Sequence, residues 1–489
     1  MTLTPSHIEP HVRRVAVVVI LGAIMSVLDT TIVNVALDTL SRDLDTSLDN
    51  IQWVVTVYLL SLAAVIPVSG WAASRFGARR VYVVSLLLFT AGSALCGLAW
   101  SPGSLIAFRA LQGIGGGMLM PVGQMVLVKA AGPKNLARVM SAIGVPIVMA
   151  PVFGPTLGGL LVQHAGWQWI FLVNVPIGAL AVFAALRLLP RDDKAADPGR
   201  LDSPGLALVA TGLVAVTYGL SESGHAGTLV APEVLVPLLA GLALIALFVR
   251  RALHIERPLL DVRLFANRAF AAASVTTFCL GAALFGAMIL MPLYFQVVRG
   301  EDAITTGLLL APQGIGTAVA MALSARATER FGGGLTALAG GLITVVATLP
   351  FVLIGGGTSY WLIGAAMVFR GFGIGMSMMP AMTAAFSVLR PEQVNHATPQ
   401  LTVLQRVGGS IGTAILSVVL QSHITSAGPD PATAAVAGAF GTTYWWVLGV
   451  TAVALIPTVL LAIVERRARR PRTKVDELQP DMALEAAAA

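Results

Sequence analysis

The sequence predicts an all-α polytopic membrane protein of fourteen transmembrane helices, and three observations predict it. Of 489 residues, 56% are hydrophobic and 11% are charged, with a mean hydropathy of +0.83. A soluble domain carries about 25% charged residues, so a soluble chain of this composition would not cover its surface, whereas a lipid-facing one needs few charges. Apolar runs of roughly 20 residues, enough to cross the ~30 Å hydrocarbon core, recur along the whole chain. The basic residues, finally, fall on alternate loops, the asymmetry that sets orientation in a membrane.

The first run, 15–36, follows Arg13-Arg14 and is too long for the core of a secretory signal. Runs at 51–73, 81–99, 104–128, 136–162 and 168–189 complete a first six, each closed by charge or by Gly and Pro. Two more, 204–221 and 230–249, precede a second six at 269–298, 303–324, 333–355, 359–389, 398–422 and 443–464. An even count puts both termini on one side. With that side taken as the cytoplasm, the inside segments hold 26 of the 31 Lys and Arg, and the outside loops hold two, Arg42 and Arg299. Arg109, Arg370 and Arg406 lie within spans. The net charge of +7 is thus scattered over short loops, which points to lipid headgroups and not to nucleic acid. Cys96 and Cys279 fall inside apolar runs with no metal-ligand spacing and read as small packing residues. The closing residues, 465–489, read as a cytoplasmic tail outside the fold.

The two sixes repeat each other. Arg75-Phe76-Gly77 after the second span recurs as Arg330-Phe331-Gly332 after the tenth. The fourth span, from Arg109 to Pro121, and the twelfth, from Arg370 to Pro380, each run from an Arg through Gly-x-Gly into Met-rich turns that end in Pro. Gly154-Pro155-Thr156-Leu157-Gly158-Gly159 in the fifth span is matched by Gly408-Gly409-Ser410-Ile411-Gly412 in the thirteenth. The expected organisation is a six-helix half at 1–190, two inserted helices at 191–268, a second half at 269–464 and the tail. Parallel halves are a transporter design, with the substrate site at their interface.

Among the acidic residues only Asp29 lies well inside a span, roughly 22 Å along helix 1 from Arg14 at 1.5 Å per residue. Burying a carboxylate there costs at least ~2.5 kcal/mol. The residue either binds and releases a proton or is held neutral for packing by Thr30, Thr31 or Asn34. Arg109 lies at a similar depth and either pairs with Asp29 or reaches to the outer headgroups. Arg370 is nearer midplane, while Arg406, two turns into its helix, has the cytoplasmic surface within reach.

Candidate substrate contacts are Asn34, Gln52, Trp53, Tyr58, Gln112, Met118, Tyr294, Gln296, Gln313, Arg370 and Met378. Methionine gives a soft lining, although core packing and membrane interfaces claim the same residue types. Gly144, Gly154, Gly158 and Gly159, with Pro155, allow close packing of the fifth span or a bend in it. Phosphate loops, metal clusters and hydrolase nucleophile motifs do not occur, so neither an enzyme nor an ATP-driven pump is expected, and no cofactor.

These motifs resemble the major facilitator superfamily, in particular its fourteen-helix drug:proton antiporter branch of the EmrB/QacA type. Leu28 to Leu37 is similar to that branch's helix 1 motif, whose Asp is linked to proton coupling. Gly70 to Arg80, with Gly70, Arg75, Gly77, Arg79 and Arg80 in place, resembles the superfamily's cytoplasmic gating loop, although Ser74 stands where Asp is usual. Arg109 to Gly117 resembles the helix 4 signature, whose Arg is assigned to proton transfer. Gly144 to Gly159 resembles the antiporter signature, and Trp167 to Gly178 the entry to helix 6. The resemblance implies a proton-coupled exporter of hydrophobic or amphiphilic drugs or metabolites, working as a monomer by alternating access in a bacterial cytoplasmic membrane. It also implies that the Asp-dependent cytoplasmic lock is weaker here. Helices 10 and 13 lack the extra acids that some relatives use for cationic drugs, so dicationic substrates are not expected. A symporter or facilitator for uptake of a small solute shares the fold and is the alternative.

Overall fold

A computed structural model describes residues 9–191, 199–426 and 433–468. Every regular element among them is helical. Among the described residues, thirteen helices are long and apolar enough to cross a membrane. In chain order they are α1 (Pro10–Asp43), α2 (Asn50–Phe76), α3 (Ala78–Gly97), α4 (Pro102–Gly132), α6 (Trp169–Leu188), α7 (Ser203–Gly224) and α8 (Pro232–His254). They continue with α9 (Arg268–Val298), α10 (Ile304–Phe331), α11 (Gly333–Val352), α12 (Tyr360–Ser387), α13 (Pro391–Ser426) and α14 (Thr433–Arg467). A further long helix, α5, is residues 133–165.

The sequence suggests a loop between α4 and α5, but the two form one run, Pro102–Ala165, whose only non-helical residue is Gly132 at φ 61° and ψ 177°. Contacts with α1 show that the chain reverses there. Arg109 meets Asp29 and Gly123 meets Val19, whereas Gly154 meets Thr31 and Gly158 meets Ile32. A left-handed φ suits glycine, which has no Cβ to clash. The repeated Arg-Phe-Gly motif ends its helices in the same way. Gly77 (φ 92°) and Gly332 (φ 98°) donate their N–H groups back to Ala73 and Thr328.

Helix starts follow the local sequence. The side chains of Ser47, Ser101, Asp202, Asn267 and Asp302 each accept a backbone N–H of the first turn. Pro67 tightens α2 into a 3₁₀ turn at Ile66–Val68.

The helices pack as two bundles. In the first, α1 lies against α4, α5 and α6, and α3 against α4 and α6. In the second, α10 and α11 flank α12, and α9 lies against α13 and α14. The matched glycine motifs do the same job in each. A Cβ on Gly154 would fall 2.0 Å from Thr31 Oγ1, and one on Gly412 would fall 2.1 Å from the Ala282 carbonyl oxygen. Small residues let these backbones approach, which drives helix association where lipid removes the hydrophobic drive.

Two seams join the bundles. Along one, α5 packs on α10, through Gly144 against Met321 and Thr156 against Gly307. Along the other, α2 packs on α13, but through its terminus-side portion, Ile66–Phe76. Farther from the termini α7 contacts both, with Tyr218 stacked on Trp53 at 6.1 Å and Val216 and Leu220 packed with Ala414. The helix α8 lies against α7. The expected tail starts later than 465, because the last helix runs to Ala468 and Glu465 accepts from the Gly333 N–H at 3.0 Å; the rest of the tail lies outside the described residues.

Candidate functional site

The centre of the first bundle holds a polar cluster in which Asp29 and Arg109 have no solvent exposure. Arg109 Nη1 donates to Asp29 Oδ2 at 2.6 Å and to Gln112 Oε1 at 2.8 Å. Asp29 Oδ1 accepts from Gln112 Nε2 at 2.8 Å and from Asn174 Nδ2 at 3.2 Å. Among the described residues, three donors and no acceptor converge on this carboxylate, the complement of an ionised group.

Each helix contributes for a local reason. Gln112 is one turn beyond Arg109 on α4, so both side chains lie on one face. From α2, the Val54 carbonyl accepts from Arg109 Nε at 3.1 Å, and one turn on, the Tyr58 ring lies 4.0 Å beneath the guanidinium. Such a cation–π contact is worth more when desolvated. Phe171 covers another side of the guanidinium at 5.6 Å. Behind the cluster, Asn174 Nδ2 also donates to Ser93 Oγ at 3.1 Å, and Ser93 Oγ donates to the Phe171 carbonyl at 2.8 Å. A buried pair repays its desolvation only when extra hydrogen bonds satisfy the remaining atoms, and here five helices supply them. Arg109 Nη2 and Asn174 Oδ1 have no partner among the described residues.

Of the two expectations for Arg109, the structure has the pairing with Asp29 and not the reach to the headgroups. Other expectations differ. Thr30 and Thr31 do not hold Asp29, since their hydroxyls bond the carbonyls of Ser26 and Leu28 one turn back. Asn34 is exposed and makes no contact with Asp29. Gln112, Tyr58 and Tyr294 are not free cavity contacts. The first two belong to the Asp29 cluster, and Tyr294 is fully buried, donating to the Gly355 carbonyl at 2.7 Å among Phe295 and Phe440. Arg406 is half-buried near Tyr58 of α2. Asn174 and Ser93 escaped sequence reasoning, although an amide within the apolar run 168–189 was a signal for the first.

The other candidates are dispersed. Gln52 is half-buried and Trp53 is 41% exposed in its stack on Tyr218. Met118 packs against the core of the first bundle, and Gln296 is exposed. Gln313 Oε1 accepts from Arg370 Nη1 at 3.2 Å, and Met378 Sδ accepts from Gln405 Nε2 at 3.8 Å.

Of the gating residues, Gly70 to Arg80 lie at the terminus side, whereas Gly154 and Gly158 pack on α1 farther from the termini. Ser74 Oγ donates to the Gly70 carbonyl at 3.0 Å and accepts from Asn395 Nδ2 of α13 at 2.7 Å. The seam therefore closes through a neutral hydrogen bond, and Gly70 lets the Asn395 carbonyl approach. Nearby, Arg138 Nε pairs with Glu329 Oε1 at 2.7 Å and Ser141 Oγ meets Ser324 Oγ at 3.0 Å, both between α5 and α10. Arg79 donates to the Leu186 carbonyl, whereas Arg75 and Arg80 are exposed. Gly158 and Gly159 are buried, and the Pro155 side chain lies outside those described.

Residues 19–413 match the profile of the Major Facilitator Superfamily. The chain belongs to that superfamily. Its relatives include a "Multidrug resistance protein B homolog" of Mycobacterium tuberculosis, 41% identical over 419 residues, spanning 85% of this chain and 77% of the relative. A "Methylenomycin A resistance protein" of Streptomyces coelicolor is 34% identical over 403 residues, 82% of this chain and 84% of that one. Among solved superfamily structures, the human organic anion transporter MFSD10 superposes with a TM-score of 0.62 at 16% identity, over 93% of this chain and all of that one. A proton:xylose symporter does so at 0.64 and 12%, over 92% and 95%. At these identities the two structures speak for the fold alone, which is the all-α architecture of the superfamily.

Proposed function

We propose that this protein is a proton-coupled exporter of small hydrophobic or amphiphilic compounds, acting as a monomer in the bacterial cytoplasmic membrane with both termini inside. The names of its relatives support export of drugs, and the distribution of Lys and Arg supports the orientation. The observation that carries the reading is the wholly buried Asp29–Arg109 pair, which ties α1 to α4.

A proton delivered to Asp29 removes the charge that Arg109 holds. Arg109 then keeps Gln112 Oε1, the Val54 carbonyl and the Tyr58 face, all on α2 or α4, and α1 loses its strongest tie. Thr31 and Ile32 of α1, within one turn of Asp29, rest on Gly154 and Gly158 of α5. A shift of α1 is therefore passed to the helix that forms a seam with the second bundle. There Arg138–Glu329 and Ser74–Asn395 must part for the cytoplasmic side to open, with the two bundles rocking about the seams. A membrane potential of 100 mV supplies ~2.3 kcal/mol per charge, comparable with the ~1.4 kcal/mol of each pH unit. Loss of the proton to the cytoplasm restores the pair and resets the carrier.

The test is proton-driven transport by wild type and Asp29→Asn in proteoliposomes, with a compound found by growth-inhibition screening of expressing cells. Drug-driven proton release from the vesicles is expected for wild type, and its loss in a folded Asp29→Asn. Co-movement of proton and drug would mean symport, and wild-type rates in Asp29→Asn would sink the mechanism.

A further inference from the structure

The repeat that aligns Arg109 with Arg370 extends to their surroundings, with one difference. Arg370 on α12 is 2% exposed and faces a small cavity lined by Leu280, Ala283 and Leu284 of α9, Thr344 of α11 and Thr451 of α14. These helices correspond to α1, α3 and α6 around Arg109. Where α1 presents Asp29, α9 presents only apolar side chains, and no Asp or Glu occurs between Arg268 and Val298. Among the described residues the one hydrogen bond of Arg370 goes to Gln313 Oε1 at 3.2 Å, and its Nε has no partner. A guanidinium carries five N–H donors and keeps its charge in proteins. Arg406 on α13, half-buried, likewise has no ion-pair or hydrogen-bond partner among the described residues. The acids of the described second bundle, Glu301, Asp302, Glu329, Glu392 and Glu465, all stand at helix ends.

The interior thus holds two cations without counter-charges, and an ionisable group inside a membrane is costly unless it is used. The cavity has about 20 Å³ of free volume, room for one oxygen-sized group. Its apolar wall continues along Ile374 and Met378. Ser377, Thr344 and Thr451 now donate to carbonyls one turn back, and their hydroxyl hydrogens are free to rotate.

We propose that Arg370 anchors the headgroup of the exported compounds, which are amphiphiles carrying a carboxylate or a similar singly charged acid, with the apolar body laid along Ile374 and Met378. This assignment rests on the exporter reading and narrows its substrate class. An anion arriving at Arg370 supplies the charge that Asp29 supplies to Arg109. A cationic amphiphile meets repulsion from Arg370.

Binding of 2-naphthoate, 2-naphthylmethanol and 2-naphthylmethylammonium to the purified full-length protein, by calorimetry at neutral pH, tests it. Naphthoate should bind at least about tenfold more tightly than the other two, the worth of one charge-assisted hydrogen bond. Arg370→Gln should erase that advantage and leave the alcohol unchanged, and Arg370→Lys should restore part of it. No gain for naphthoate over the alcohol, or an equal loss for all three probes in Arg370→Gln, overturns the proposal. If Arg370→Gln does not fold, the charge preference of the wild type decides. A chloride-dependent rise in melting temperature, not displaced by naphthoate, would assign the cavity to an inorganic anion and overturn the substrate role. The assay involves no proton gradient. Selective naphthoate binding without proton-driven efflux would sink the exporter reading alone, and efflux indifferent to charge would sink this one alone.

Discussion

At Asp29 the donors are fixed before any proton arrives, and removing one of them alone leaves a charge stranded. Arg109→Gln should destabilise the protein by ~3–5 kcal/mol, the cost of breaking a buried pair. The same substitution in an Asp29→Asn background should cost markedly less, because no carboxylate is then left uncompensated. Thermal melts of the four proteins in detergent measure this coupling, and equal costs in both backgrounds would show that the pair is not energetically linked. Asp29 and Arg109 were legible in the sequence because a charge in an apolar run is conspicuous. Their ties to Gln112 and Asn174 were not, since an amide in a membrane helix serves cavity, packing or carboxylate equally well until the neighbouring helices are placed. Tyr294, a candidate substrate contact by its type, is a related case. An aromatic near a helix end suits an interface, and only the Gly355 carbonyl across from it shows a structural role.

Helix against helix, the fold depends on backbone contacts that no larger residue permits. A Cβ at Gly408 would lie 2.2 Å from the Phe278 carbonyl oxygen, and one at Gly412 would lie 2.1 Å from that of Ala282. Backbone cannot turn aside as a side chain does, so Gly408→Ala and Gly412→Ala should each cost ~1–3 kcal/mol through overpacking. Gly103→Ala and Gly438→Ala, with nothing within 4 Å, are the controls. Similar melting temperatures for all four would refute the packing argument. The glycine motifs announced these contacts and the repeat said which helices matched. The continuous run through Gly132 was not legible, because Pro133 and Lys134 look like a loop and the helix continues on either side of a single left-handed residue.

For the whole molecule, the two seams make separate predictions. The terminus-side closure between α5 and α10 includes one ion pair, so Arg138→Glu should repel Glu329 and raise labelling of cysteines placed behind the seam. The swap Arg138→Glu/Glu329→Arg should return it to wild type, and unchanged labelling in the single variant would remove the pair from the gate. Orientation is checked with cysteines at Gly227 and Arg80, the first expected to label from outside cells and the second only after permeabilisation. The alternation of charged loops is the sequence signal for that orientation, because it depends on loop chemistry alone. The sequence did not disclose where the inserted helices sit, as their apolar faces fit lipid and protein alike. The place they take has a consequence of its own. Away from the termini α7 fills the gap between α2 and α13, its Tyr218 against Trp53 and its Leu220 beside Ala414. A pair of helices parted in this way would otherwise leave a slot wide enough for acyl chains to lean into the interior. With α7 seated there as a gasket, that flank is closed to the bilayer while the opposite flank has only the direct contact of α5 and α10. The two flanks of the molecule are therefore unlike walls, one filled by an inserted helix and the other closed by the two bundles directly.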